Sequence, residues 1–244
     1  MALLRWENMS GEEARQHLKE QRLVILPIGA IEAHGPHLPT GTDNILAVAI
    51  AERVAEQVGG VLLPLIPYGQ VWSLQDFPGS LTISTETLAS VLVDLGMSLR
   101  RQGVEIWAII NGHIGNGAAL QMAARRLYQM NGPLTYIFTY PGLSEIASRV
   151  CSSRPLPGGY FHAEEIETSM VLHVAPEAVR MDRAVREVPR LPPDFLYRPV
   201  PWSEITQTGV LGDATLSTPE KGAALIDGIV ERIVAVLRFA LQSL

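Results

Sequence analysis

Apolar residues along this 244-residue chain fall into two patterns. Short solid runs occur at Leu23-Val24-Ile25-Leu26, at Val61 to Leu65, at Val104 to Ile110 and at Leu134 to Thr139. Runs of that length, apolar and β-rich, read as buried strands. Pro64 and Pro67 end the second of them. Between them lie segments whose apolar residues recur at helical spacing. Ser10 with Glu13 makes a capping-box pattern, which predicts a helix over Gly11 to Glu20. A second helix is predicted over Asn44 to Gln57, stopped by Gly59-Gly60. A third covers Glu86 to Gln102, capped by Thr85 and ended by Gly103, and a fourth covers Ala118 to Gln129. A fifth is predicted from His162 to about His173. The last begins at Thr218-Pro219, with Pro in its first turn, and runs to about Leu241. Its face Ala224, Ile229, Ile233 and Val236 is expected to pack on the sheet. The mixture is that of an α/β protein.

Three stretches lack either period. Residues 66–84 read as a long loop, and such loops in compact domains are usually functional or mobile. Residues 141–160 hold many Pro, Gly and Ser and also read as loop. Residues 175–217 are rich in Pro and are expected to wrap the surface, cover a neighbouring subunit, or both. No internal repeat and no low-complexity segment appears.

Composition narrows the class. A chain that is 47% hydrophobic and 18% charged is globular rather than disordered. A net charge of −6 argues against nonspecific nucleic-acid binding. The lone Cys151 excludes an intramolecular disulfide and fits a reducing cytoplasm; no catalytic motif surrounds it. The N-terminus has no signal-peptide pattern, and no uncharged apolar run approaches the roughly 18 residues of a membrane span. One cytoplasmic domain over residues 1–244 is the expectation.

The chemistry concentrates at strand ends. After the first strand comes P-I-G-A-I-E-A-H-G-P-H-L-P-T-G-T-D, Pro27 to Asp43. In an extended segment Glu32 and His34, two residues apart, share a face. Asp43 follows a Gly/Pro turn that can fold back on the strand end. A mixed carboxylate and imidazole set suits Zn²⁺, Mn²⁺ or Fe²⁺ better than Ca²⁺ or Mg²⁺. The plainer alternatives are loop solvation for Glu32, helix capping for Asp43 and a backbone bond for His34. His37, between Pro36 and Pro39, reads as structural or supporting. His113 sits at the end of the third strand, in Asn111-Gly112-His113-Ile114-Gly115-Asn116, a strand-loop-helix joint that favours an anion. It is a buried backbone-bonded loop His by itself and a ligand when taken with the first motif. A third segment holds His162, Glu164, Glu165 and Glu167. On a regular helix His162 and Glu165 share a face, while Glu167 turns away from His162. His173 reads as structural.

These three segments, in this order, together resemble the signature of the creatininase (creatinine amidohydrolase) family. The similarity is carried by Leu26 to Pro39 with Gly41-Thr42-Asp43, by Asn111-Gly112-His113 with Gly115-Asn116, and by His162-Ala163 with Glu167-Thr168-Ser169, and spans roughly residues 5–175. The resemblance implies a three-layer α/β/α sandwich with a mainly parallel central sheet. It implies two divalent metal ions per chain (Zn²⁺, Mn²⁺ or Fe²⁺), hydrolysis of a C–N amide bond and a homohexamer. It implies Glu32, His34, Asp43, His113 and Glu167 as metal ligands, although the residue pattern leaves Glu165 as an alternative fifth ligand. Two divalent ions against three carboxylates leave one positive charge, which one bridging hydroxide cancels. Asp43 as the shared ligand would leave Glu32 and His113 on one ion, and His34 and Glu167 on the other. His162 is the expected proton donor to the leaving nitrogen, its natural pKa lying near working pH.

On the substrate side, Tyr68-Gly69 and Phe77-Pro78-Gly79 resemble the family's segment bordering the active site, and Tyr68, Trp72, Phe77 and Asn116 are the expected contacts. Trp72 has a packing role as its alternative. Where many members carry a His before that Phe, this chain has Leu74 and Gln75. Creatinine hydrolases of the family carry a Glu two residues after the His113 equivalent and a Trp four before the His162 equivalent; here these are Gly115 and Gly158. The form is more similar to the branches acting on other cyclic or linear amides, formamides or a modified peptide's end. The expected function is therefore hydrolysis of a small cyclic or linear amide. A hydrolase of a sugar-like ring with the same metal centre, or a metal-free small-molecule binding module, is the alternative.

Overall fold

The structure is a computed structural model that describes residues 3–153, 156 and 159–243. Four parallel strands form its central sheet in the order β2-β1-β3-β4: β1 is Leu23–Ile28, β2 Val61–Leu62, β3 Ile106–Asn111 and β4 Leu134–Phe138. The two central strands are buried along their whole length, as their solid apolar runs require. Their alternating side chains feed two cores. Leu23, Ile25, Ile106, Ala108 and Ile110 face α2 (Thr42–Val58), α5 (Leu143–Val150), α6 (Glu165–Val174) and α7 (Pro219–Gln242). Val24, Leu26, Ile28, Trp107 and Ile109 face α1 (Gly11–Glu20), α3 (Thr85–Arg101) and α4 (Gly117–Gln129). The result is the expected α/β/α sandwich. Each fully buried aliphatic side chain contributes about 1.5–3 kcal/mol, so β1 and β3 give the loops that follow them a rigid base.

The strand order places the site. From β1 the chain crosses by α2 to β2 on one side, and by α3 to β3 on the other. The loops leaving β1 and β3 therefore diverge at neighbouring strand ends, where open α/β sheets hold ligands.

Several elements differ from expectation. β2 pairs only over Val61–Leu62, because Pro64 interrupts the ladder, and pairing with β1 resumes at an Ile28–Ile66 bridge. Ser84, not Thr85, caps α3. Asp43 does not cap α2; Gly41 holds that position and Asp43 lies in the first turn. The expected loop 141–160 contains α5, whose Leu143, Ile146, Ala147 and Val150 pack on the core at helical spacing. Gly158 lies outside the described residues. On α7 the buried stripe is Leu225, Ile229, Ile233 and Leu237 with their neighbours, so Ala224 and Val236 fall outside it. Residues 175–217 wrap this chain's own surface in short 3-10 turns and a two-residue ladder, β5 (Arg186–Glu187) with β6 (Gly212–Asp213). No described helix is long and apolar enough to cross a membrane.

The start of α6 matters most for the site. His162 lies outside the helix, which begins at Glu165. Ala163 takes a left-handed conformation, φ 50°, and Glu164 is extended, so the helix cannot extend back to His162.

Candidate metal centre

Three carboxylates and three imidazoles converge at the ends of β1 and β3, all of them buried: Glu32, His34, Asp43, His113, His162 and Glu167. Each imidazole has one nitrogen held by a main-chain carbonyl. His34 Nδ1 lies 3.0 Å from the Glu32 carbonyl, His113 Nε2 2.8 Å from that of Gln70, and His162 Nε2 2.9 Å from that of Ala33. The carbonyls accept, so those nitrogens carry the protons in the neutral rings. The other nitrogens all point inward. His34 Nε2 lies 3.3 Å from Asp43 Oδ1 and 4.0 Å from Glu167 Oε2. His113 Nδ1 lies 3.1 Å from Asp43 Oδ2 and 3.3 Å from Glu32 Oε1. His162 Nδ1 lies 3.6 Å from Glu32 Oε1 and 3.8 Å from Glu167 Oε2.

The donor set fits divalent metal. Among the described residues no Lys or Arg pairs with Glu32, Asp43 or Glu167, and His34 Nε2 and Asp43 Oδ2 find no hydrogen bond although both are buried. Buried carboxylates require pairing or a metal. Glu32, Asp43 and His113 offer ligand atoms within 4.8 Å of one another, as do His34, Asp43 and Glu167, and as do Glu32, His34 and His162. Asp43 is common to the first two groups.

Without a cation two of the imidazoles, His34 and His113, carry the compensating charge. Burial alone would lower His34, but Asp43, Glu167 and Glu32 raise it to about 10. His113 likewise rises well above its ordinary value, Glu32 and Asp43 overriding its burial. Burial tends to raise Asp43, yet His34 and His113 hold it below the usual carboxylate range. Burial lifts Glu167 to about 7; the pull of His34 and of the Ala163 N–H is too weak against it and the repulsion of Asp43 and Glu32. Burial and the nearby His34 lower His162 to about 4, below the near-neutral value that the sequence leads one to expect.

Loop packing holds this geometry. The Tyr140 hydroxyl donates to the Gly112 carbonyl at 2.9 Å, and a Cβ at Gly112 would lie 2.2 Å from the Asp43 carbonyl oxygen. Asn111 receives the His113 N–H and donates to the His113 carbonyl. His37, apart from the cluster, bonds Thr168 at 2.9 Å and ties the β1 loop to α6. Glu165 turns away and accepts from Ser152 N, Ser153 N and Lys221 Nζ, so Glu167 alone of the two reaches the cluster.

The cluster forms the floor of a cavity of about 240 Å³. Its walls include Gln70, Val71, Ser73, Leu74, Ile114, Tyr160, Phe161 and Trp202. The four expected substrate contacts stand elsewhere. Tyr68 is half exposed outside the lining; Trp72 begins a 3-10 turn whose Ser73 and Leu74 line the cavity instead. Phe77 packs behind the wall, on Ala30, Val71 and Leu74. Asn116 is buried and fully committed: it donates to the Gly29 carbonyl and Asn111 Oδ1, and accepts from Gln70 N. Trp202 has no periodic signal in the sequence, because it sits in a Pro-rich segment; its large aromatic ring is the one cue.

A family model described as creatinine amidohydrolase matches residues 7–237. A mycofactocin precursor peptide peptidase of Mycobacterium tuberculosis (strain CDC 1551 / Oshkosh) is 32% identical, over 86% of this chain and 84% of its own. A creatinine amidohydrolase of Pseudomonas putida is 27% identical, over 88% of each chain. Among solved structures, a mutant creatininase of the Zn-Zn type superposes with a TM-score of 0.84 at 24% identity, over 98% of this chain and 99% of that one.

Proposed function

The chain belongs to the creatininase family of hydrolases, and on that premise we propose that it cleaves the C–N bond of a linear, peptide-like amide using two divalent metal ions, with residues 1–244 acting as one domain. The observation that carries this reading is the buried cluster whose three imidazoles each turn one bare nitrogen toward three carboxylates.

Glu32, His34, Asp43, His113 and Glu167 would hold the ions, with Asp43 common to both. Ions of the Zn²⁺, Mn²⁺ or Fe²⁺ kind supply Lewis acidity and lower the pKa of a bound water toward neutrality. The chain's own part is orientation and proton traffic. The carbonyls of Glu32 and Gln70 keep the bare nitrogens of His34 and His113 aimed inward. The Ala33 carbonyl does the same for His162, whose Nδ1 can take a proton at the floor of the cavity and return it to the departing nitrogen. Val71, Leu74 and Phe161 give the reacting amide an apolar surround that limits water.

Two observations favour a linear amide over creatinine. A side chain at Gly115 would start with a Cβ 2.4 Å from His113 Nε2 and 2.5 Å from the Gln70 carbonyl, so the Glu of creatinine hydrolases has no room there. The relative at 32% identity is named as a peptide peptidase. A homohexamer is the assembly carried over from the family resemblance, and the lone Cys151 fits a cytoplasmic setting.

The test begins with metal per chain on protein purified without chelator, beside a Glu32→Gln/Asp43→Asn variant. About two divalent ions, lost in the variant, with turnover of linear amides above that of creatinine, is the expected result. A protein that stays metal-free after incubation with Zn²⁺, Mn²⁺ or Fe²⁺ sinks the reading.

A further inference from the structure

One wall of the cavity takes no part in the cluster. Trp202 stands edge-on to His162, ring centroids 5.2 Å apart at 74°, and edge-on to Tyr160 at 6.5 Å and 82°. Tyr160 in turn meets Phe195 at 5.2 Å and 73°. Rings locked edge to face in this way keep their orientation at low entropic cost. The wall is also anchored from outside: Ser203 Oγ donates to Asp76 Oδ2 at 2.8 Å, tying the 3-10 turn Trp202–Glu204 to the adjacent 66–84 loop. Phe77 packs with the same small core as Trp202. Phe161 completes the apolar side. The wall therefore exists before any ligand arrives.

The size of the cavity sets what fits. A dry cavity of about 150 Å³ accepts benzene. The roughly 240 Å³ here holds one six-membered ring together with one amide group at the cluster. We propose that Trp202, with Tyr160 and Phe161, forms a subsite for a flat aromatic group borne by the amide substrate. The word amide rests on the hydrolase reading above; the aromatic preference rests on the wall alone.

The test uses the zinc-loaded protein and two pairs of probes matched in carbon number: N-benzylacetamide against N-(cyclohexylmethyl)acetamide, and 2-phenylacetamide against 2-cyclohexylacetamide. Binding is measured by calorimetry, and hydrolysis of the same four compounds is followed separately. In at least one pair the aromatic member should bind about ten-fold tighter, since an aromatic pair adds to plain area burial. Trp202→Leu should abolish that preference at unchanged zinc content, and Trp202→Phe should retain most of it. Equal binding within both pairs, or a preference that survives in Trp202→Leu, overturns the subsite. Hydrolysis without aromatic preference also overturns it and leaves the hydrolase reading standing. Aromatic preference in binding with no turnover of any probe sustains the subsite and counts against the amide reading.

Discussion

His162 Nδ1 and Glu167 Oε2 lie 3.8 Å apart, although five positions separate them and a regular helix would turn them away from each other. The left-handed Ala163 between them makes the approach, and its N–H donates to the same Glu167 oxygen at 2.6 Å. That conformation disfavours any side chain branched at Cβ. Ala163→Val should therefore destabilise the protein by about 1–3 kcal/mol and lower turnover, whereas Ala163→Gly should stay near native in both. Thermal unfolding and amide turnover of the two variants check this; equal behaviour of Val and Gly would remove the strain argument.

His162→Ala should lower kcat by roughly 10²–10⁴ while metal per chain stays native. Its Nδ1 is no closer than 3.6 Å to any carboxylate oxygen of the cluster, against 3.1 Å for His113. Elemental analysis beside kinetics decides the matter, since a drop in metal content would make His162 a ligand rather than a proton carrier.

Proton binding gives the metal-free protein an inverted pH profile. His34 moves from 6.5 to about 10 and Glu167 from 4.5 to about 7 on folding, so the folded state binds protons more tightly at both. Their protonated forms favour folding most at low pH, and that advantage is lost as pH rises through about 7 and then about 10. Asp43 is depressed and acts the other way, its contribution being lost on strong acidification. His162, lowered from 6.5 to about 4, opposes this below its ordinary value, so the chelator-treated protein should lose stability steadily from neutrality to about pH 10, whereas the loaded protein should not. Zinc binding at neutral pH should release protons, which titration in buffers of different ionisation enthalpy will count.

Gly115→Ala should weaken metal binding about 10- to 100-fold. The added Cβ would displace either His113 Nε2 or the Gln70 carbonyl, and the 2.8 Å bond between them is what aims His113. A competition titration against a chromophoric chelator measures it. Gly115→Glu should fail in the same way and should not create creatinine hydrolysis.

The central strands were legible because both faces of β1 and β3 are buried, which writes a solid apolar run into the sequence. Those runs locate the loops after β1 and β3, but grouping Glu32, His34, Asp43 and His113 rests on the family resemblance, because the strand order that sets β1 beside β3 is not written in the runs. Glu167 could not be reached by helix geometry, because the left-handed turn at Ala163 carries no side-chain signature. α5 is not legible because only eight residues of helix lie within a stretch rich in Pro, Gly and Ser. The loop 66–84 is legible as a border of the site, but which of its side chains face inward depends on the 3-10 turn Trp72–Leu74, which turns Ser73 and Leu74 rather than Trp72 to the cavity, while Phe77 packs behind Leu74.

The three imidazoles take their aim from the peptide backbone, through the carbonyls of Glu32, Ala33 and Gln70. No point mutation can delete a peptide carbonyl. The cavity's walls are thus free to drift in evolution while the rings beneath them keep their bearing, which gives one reactive floor many possible clients and makes Trp202 and its neighbours the place where a new one would be selected.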